Sequence, residues 1–204
     1  KCSKTGDIIE PMVKAQWWID CKEVAKRTID DVNSGKLKII PEFQKQTLFG
    51  FLDNIRDWCI SRQLWWGHQC PIYLVTIKGI LDNPDPANND HWVAAKNEDE
   101  AINKASIKFK CEDKSLITVK QDDDVLDTWF SSSLLPLTCF GWPNVTNNEE
   151  FKTFFPTDLL ETGHDIIFFW VARMVFMSYF FMDTVPFHTV FLHPIVKDSQ
   201  GRKM

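Results

Sequence analysis

Apolar and polar positions divide the chain into short strands and amphipathic helices. Between residues 16 and 34, Trp17, Ile19, Val24, Ile29 and Val32 recur at roughly helical spacing. Gly35 stands where a helix C-terminus favours glycine, so the pattern predicts one helix there. Residues 37–40 read as a short strand ended by Pro41. Residues 44–58 read as a second helix with Leu48, Phe51, Leu52 and Ile55 on one face. A strand over 70–77 opens at Cys70-Pro71, because proline suits the start of a strand better than its middle.

Residues 79–97 carry loop chemistry in Asn83-Pro84-Asp85-Pro86 and Asn88-Asn89-Asp90. A modest amphipathic helix over 98–109 and a short strand over 116–119 follow. The stretch 79–120 is more polar than its flanks, which predicts a surface insertion on a more apolar framework. Beyond it lie an apolar segment at 125–135, an Asn-rich loop at 144–150 and a strand end at 158–161. A long apolar run at 166–182 and a strand at 189–193 complete the chain's pattern. Alternation of strands and helices at this spacing predicts an α/β fold with parallel pairing.

The run 166–182 reaches the lower limit for a membrane span, yet Arg173 sits in its middle and Asp165 and Asp183 bracket it. A central Arg costs about 2.5–3.5 kcal/mol in lipid on insertion scales. A buried core helix is therefore expected, with no membrane partner.

The 204 residues suit one sizeable domain or two small ones, and 44% hydrophobic against 25% charged excludes wholesale disorder. The formal net charge of −5 argues against a chain that binds nucleic acid over its whole surface, leaving a local basic patch as the alternative. Nine Trp and sixteen Phe against two Tyr predict a large core or an apolar ligand cleft. The six cysteines form no CxxC pair. Cys59, His68 and Cys70 make the tightest metal-like grouping but lack a fourth ligand, so no structural metal is expected. Irregular cysteine spacing and the absence of a secretory signal favour a reducing, intracellular compartment.

Gly163-His164-Asp165 lies where a strand end passes into the long apolar run, the ligand position of open α/β sheets. Gly163 admits a close approach to backbone. Asp165 either accepts hydrogen bonds from sugar hydroxyls or, more simply, caps the helix. Trp129 and Trp170 are ligand walls or core filler, and Ile166 and Trp170, four apart, share a helical face. Asp122, Asp123, Asp124 and Asp127 fit a solvated turn and helix start better than a metal cluster. Trp65-Trp66-Gly67-His68 joins two bulky rings, a flexible point and a titratable group. Arg56, Arg62, Arg202 and Lys203 are candidate phosphate or RNA contacts, although scattered basic residues are usually only solvated. There is no GxGxxG and no Walker A sequence. The residues by themselves lead as far as an α/β domain with a nucleotide cleft.

Several ordered blocks go further. They are the segment from Asn54-Ile55-Arg56-Asp57-Trp58 to Trp65-Trp66-Gly67-His68; Asp124-Val125-Leu126-Asp127-Thr128-Trp129-Phe130-Ser131-Ser132; Gly141-Trp142-Pro143; Thr162-Gly163-His164-Asp165-Ile166-Ile167-Phe168-Phe169-Trp170-Val171-Ala172-Arg173-Met174; and Asp198-Ser199-Gln200-Gly201-Arg202-Lys203-Met204. Together they resemble the catalytic core of the class I aminoacyl-tRNA synthetases, and among these the valyl type. The polar, cysteine-poor insertion resembles that of eukaryotic cytosolic members.

The resemblance implies the second half of a Rossmann-type catalytic domain, a parallel sheet with packed helices and a polar α+β insertion. It divides the chain into an exit from an editing insertion (1–40), a catalytic-domain segment (41–78), the insertion (79–120) and the Rossmann second half (121–204). It implies a ligase that activates valine with ATP and Mg2+ to valyl-adenylate and transfers valine to the 3′ end of tRNA(Val). Gly163 and Asp165 would meet the adenylate ribose, with His193 on the adenine side. Trp129, Ile166 and Trp170 would wall the valine side chain. Lys203, in a KMSKS-type loop, would be the catalytic residue that neutralises phosphate charge, and Arg56 and Arg62 would guide the tRNA acceptor end.

Because an apolar pocket rejects threonine poorly, the family hydrolyses threonyl product in a separate editing domain. Gly6-Asp7-Ile8-Ile9-Glu10-Pro11 resembles the exit from that domain, the HIGH signature is not in the sequence, and the KMSKS-type block stops after its second residue. The chain is thus expected to be a piece that is inactive alone, from a cytoplasmic protein with a mitochondrial pool. Membership of a synthetase or elongation-factor complex does not follow from the sequence. The alternatives are isoleucyl-type specificity on the same fold, or a catalytically silent module that binds RNA or a partner.

Overall fold

The computed structural model describes residues 1–2, 5–10 and 12–204, so Pro11 of the motif at 6–11 lies outside the described residues. The first part of the chain forms β1 (Trp18–Ile19), α1 (Lys22–Asn33), β2 (Lys38–Ile40), α2 (Gln44–Leu52), β3 (Trp58–Cys59) and β4 (Ser61–Arg62). The middle forms β5 (Ile72–Ile77), β6 (Trp92–Ala94), α3 (Glu98–Phe109), β7 (Ile117–Gln121) and β8 (Val125–Leu126). Then come α4 (Thr128–Ser133), α5 (Leu135–Thr138), α6 (Glu149–Phe154) and β9 (Thr157–Gly163). A 3-10 turn (His164–Ile166), a π-helical stretch (Ile167–Ala172), α7 (Arg173–Met182) and β10 (Phe187–His193) follow. These elements divide into two compact units, Lys1–Trp17 with Ser61–Val125, and Trp18–Ile60 with Leu126–Met204.

The second unit is built on a parallel sheet in the order β2-β10-β9, the parallel pairing that the alternation of elements predicts. Val190 of β10 lies opposite Ile39 on one side and Leu160 on the other. Parallel neighbours need a long crossover, and the turn, π-helical stretch and α7 supply it between β9 and β10. Their buried side chains (Ile167, Val171, Met174, Val175, Phe176) meet Val24 and Val32 of α1, Leu48 and Leu52 of α2, and Phe187, Val190 and Leu192 of β10.

Two predicted helices are shorter than their patterns. The first begins at Lys22, where the Asp20 carboxylate accepts the Lys22 amide hydrogen (3.0 Å) in a local turn that competes with helix. The second ends at Leu52. Trp58 and Cys59 pair antiparallel with Ile19 and Trp18 instead, a partner that local periodicity cannot reveal.

His164–Met182 is long and apolar enough to cross a membrane by length and composition alone. Its central Arg173 is only 8% exposed and is bound to Asp127 (3.1 Å), as suits a core helix of a folded domain. It is not one α-helix, however. The π-helical stretch opens the turn before Arg173, a feature that an apolar run does not encode.

The other unit is an antiparallel sheet, β6-β5-β7, with α3 against it. β5 alternates strictly, burying Tyr73, Val75 and Ile77, and α3 presents the small Ala101 and Ala105 to this core. The Asp cluster is not simply a solvated turn. Asp124 is buried, binding Lys14 and accepting from Gln63 Nε2 (2.7 Å), and Asp122 accepts the Trp17 indole N–H (2.8 Å). Among the described residues no three His, Cys, Asp or Glu side chains are grouped to hold a metal ion.

Candidate active site

β9 and β10 run parallel and end together, with Gly163 opposite His193. In such a sheet the carboxyl ends of the strands open onto the ligand crevice. Gly163 is there for space. A Cβ on it would lie 2.7 Å from Asp165 Oδ1 and 2.7 Å from the Cδ1 of Ile195, inside any tolerable contact. The turn after Gly163 therefore folds back on the strand end, and His164 Nδ1 lies 3.2 Å from the His193 carbonyl, which accepts when that nitrogen carries the proton. His193 itself is half-buried.

That fold-back turns the Asp165 carboxylate outward, where it accepts from Lys203 Nζ at 2.5 Å. Asp165 is no helix cap. The 3-10 turn has no side-chain cap, which removes the simpler of the two uses read from the sequence. The Lys203 ammonium beside it holds the carboxyl below the ordinary carboxylate range. Lys203 is aimed by a tight turn. The Asp198 carboxylate accepts from the amides of Gln200 (2.9 Å) and Arg202 (2.8 Å) and from Arg202 Nε (2.8 Å), and the backbone at Lys197 pairs antiparallel with that at Lys203. Gly201, at φ +78°, takes the left-handed position in that turn.

Aromatic side chains of α4 and of the π-helical stretch pack together. The Trp129 ring stacks on Phe169 (5.7 Å between centroids), and the Trp170 indole N–H donates to the Ser132 carbonyl (3.0 Å). Ile166 closes the 3-10 turn that leads into this stretch and is half-buried. Next to these rings, the Asp127 carboxylate accepts from Trp58 Nε1 (3.0 Å) and from Arg173 (3.1 Å), and the Arg173 guanidinium lies over the Trp58 ring at 4.1 Å and near the Phe169 ring at 5.5 Å. The sequence pattern does not mark Asp127 and Arg173 as site residues. The signal was an Asp at a helix start and an Arg inside an apolar run, each with a more ordinary explanation.

The two arginines that the resemblance assigns to tRNA fall in different units. Arg56 is exposed between α2 and β3 in one unit, and Arg62 lies on β4 in the other. Trp65 and Trp66, also in that other unit, are 93% and 80% exposed, their rings edge to face at 6.0 Å.

The family model for class I tRNA synthetases (I, L, M and V) matches residues 3–204. The chain belongs to the class I tRNA synthetases. This synthetase chain is 49% identical over 203 residues to the mitochondrial valine--tRNA ligase of Saccharomyces cerevisiae, and 47% identical over 203 residues to the valine--tRNA ligase of Caenorhabditis elegans. Each similarity takes in the whole chain but only 18% and 19% of the relative, so the chain spans less than a fifth of the length of these curated relatives. Its fold is also that of Mycobacterium tuberculosis methionyl-tRNA synthetase in complex with methionyl-adenylate, at a TM-score of 0.58 and 18% identity. That likeness covers 93% of this synthetase chain and 28% of the other.

Proposed function

We propose that the chain contributes the adenylate-binding part of a valine--tRNA ligase. A valine carboxylate oxygen attacks the α-phosphorus of ATP, the bond to the bridging oxygen breaks, and pyrophosphate leaves with that electron pair. A ribose hydroxyl at the tRNA(Val) 3′ end then attacks the valyl carbonyl carbon and AMP departs. Little covalent chemistry is asked of the protein, which works by positioning and charge stabilisation. The observation that carries this reading is the meeting of Asp165 and Lys203 at 2.5 Å beside the paired strand ends at Gly163 and His193.

In this reading Gly163 lets the nucleotide approach the backbone, Asp165 accepts from the ribose hydroxyls and His193 lines the adenine side. Lys203 neutralises phosphate charge as pyrophosphate leaves, with Mg2+ arriving on the ATP as part of the substrate. Ribose and phosphates thus take the places that Asp165 and Lys203 now give each other. Trp129, Ile166 and Trp170 wall the valine side chain, and Arg56 and Arg62 guide the tRNA acceptor end. The same reading puts the protein in the cytoplasm with a mitochondrial pool, the latter supported by a relative named as mitochondrial.

The test is amino-acid-dependent ATP–pyrophosphate exchange by the full-length protein that carries this sequence, alongside Trp170→Ala. Valine should drive exchange, and threonine should do so weakly. An apolar pocket separates this near-isosteric pair by only about 100-fold, the documented figure for valine enzymes rather than one obtained from this geometry. Trp170→Ala should lose the valine response. Preference for isoleucine would overturn the specificity, and no exchange with any amino acid from folded protein would leave a silent RNA- or partner-binding module.

A further inference from the structure

The buried Asp127–Arg173 ion pair connects the two elements that carry Trp129 and Trp170. Asp127 is the residue immediately before α4, and Trp129 is two residues on. Arg173 is the residue immediately after the π-helical stretch, and Trp170 is three residues back. An Asp at a helix start ordinarily caps its own helix, but here the Asp127 side chain makes no cap bond. Its carboxylate is given to Arg173 (3.1 Å) and to the Trp58 indole (3.0 Å). The guanidinium is held in turn by faces of aromatic rings, over Trp58 at 4.1 Å and near Phe168 and Phe169 at 5.6 and 5.5 Å. Phe169 is the ring on which Trp129 stacks.

Both charges are under 10% exposed, and a buried pair of this kind is seldom more stabilising than apolar side chains of the same size. What it supplies is one distance and one orientation. Arg presents a rigid planar fork, so the spacing it sets between α4 and the π-helical stretch is defined in a way that Leu or Met packing is not.

We propose that Asp127 and Arg173 are positioning residues that fix the separation of Trp129 and Trp170, and with it the size of amino-acid side chain that the site accepts. This rests on the valine reading of the same wall. Neither residue touches substrate. They act through the two indoles.

The experiment measures ATP–pyrophosphate exchange by the full-length protein with valine, isoleucine and threonine, for wild type, Arg173→Lys, Asp127→Asn and the double variant. Lys keeps the charge without the fork. Asn keeps the shape and one acceptor without the charge. Each single variant should raise KM for valine about tenfold, leave KM for ATP within about twofold, and narrow the preference for valine over isoleucine by a similar factor. The double variant should lose no more than the worse single one, since the two residues act as a unit. If Arg173→Lys does not fold, Asp127→Asn carries the test.

Equal changes in KM for valine and ATP, an unchanged preference among the three amino acids, or additive effects in the double variant would each overturn the proposal. Wild type that favours another amino acid would overturn the valine reading alone, because the selectivity shift is then read with that amino acid. Wild type that activates none would overturn both.

Discussion

Asp165 and Lys203 are 38 positions apart, and the Asp198 turn is what delivers the lysine to the carboxylate. The pair is at the surface, so its electrostatics are open to screening. Asp165 should titrate below the ordinary Asp value of about 3.9 in the folded protein, because the Lys203 ammonium favours the charged form. Lys203→Ala, or salt raised to about 1 M, should move it back up. A depressed folded-state pKa contributes stability that is present above the unfolded value and lost as pH falls through the folded one, so the turn should loosen only below about pH 4. Carboxyl carbon chemical shifts across a pH series report this directly, and an Asp165 that titrates identically with and without Lys203 would show that the contact is not populated in solution. Both residues were legible as candidates. Their contact was not, because no local pattern connects a loop at 198–204 with a strand end at 163. Asp127 was illegible for a related reason: the partners that bury it, Trp58 and Arg173, lie 69 and 46 positions away.

Elements held by their own residues were the readable ones. The helix predicted over 98–109 is α3, Glu98–Phe109, and its start is local chemistry. The Asn97 side chain accepts the Glu100 amide hydrogen (2.9 Å), and Glu100 reaches back to accept from the Lys96 amide (3.0 Å). Its end is less comfortable, since Lys110 takes the left-handed position at φ 53° where glycine is preferred. Asn97→Ala should therefore cost about 1 kcal/mol, and Lys110→Gly should add about 1 kcal/mol by relieving the strained backbone. Hydrogen exchange of the α3 amides measures both; a neutral Asn97→Ala would mean that tertiary packing, not the cap, sets this helix's start. By contrast, the pattern over 44–58 continued past Leu52 because Ile55 and Trp58 are apolar for reasons outside any helix. Trp58 belongs to β3 and reaches Asp127. The π-helical turn was invisible for the same cause. Its geometry accompanies the bonds that Trp170 and Arg173 make to Ser132 and Asp127, both in sequence far from the run itself.

At the scale of the whole chain, two separate cores imply two separate stabilities. Among the described residues, twenty-one buried apolar side chains form the core around β10 and α7, against nine around β5 and α3. Three of those nine are alanines, so the smaller core removes far less apolar surface from water and has less to set against the entropy of ordering its loops. The smaller unit is also made from two stretches of chain, Lys1–Trp17 and Ser61–Val125, tied inside it by Lys14 on Asp124 and by the Trp17 indole on Asp122. Cooperative units of this kind open on their own when their free energies differ enough. Ile77, fully buried at the end of β5, offers the cleanest probe, since Ile77→Ala removes core volume at a cost of about 2–5 kcal/mol. Amide exchange should then accelerate in β5, β6, β7 and α3 by a factor of 10 or more, because every 1.4 kcal/mol is tenfold. Protection of β9 and β10, which hold Gly163 and His193, should stay within about twofold. If β9 and β10 lose protection in step with β5, the two units unfold as one, and the strand ends that carry the proposed nucleotide site owe their order to a core they do not share.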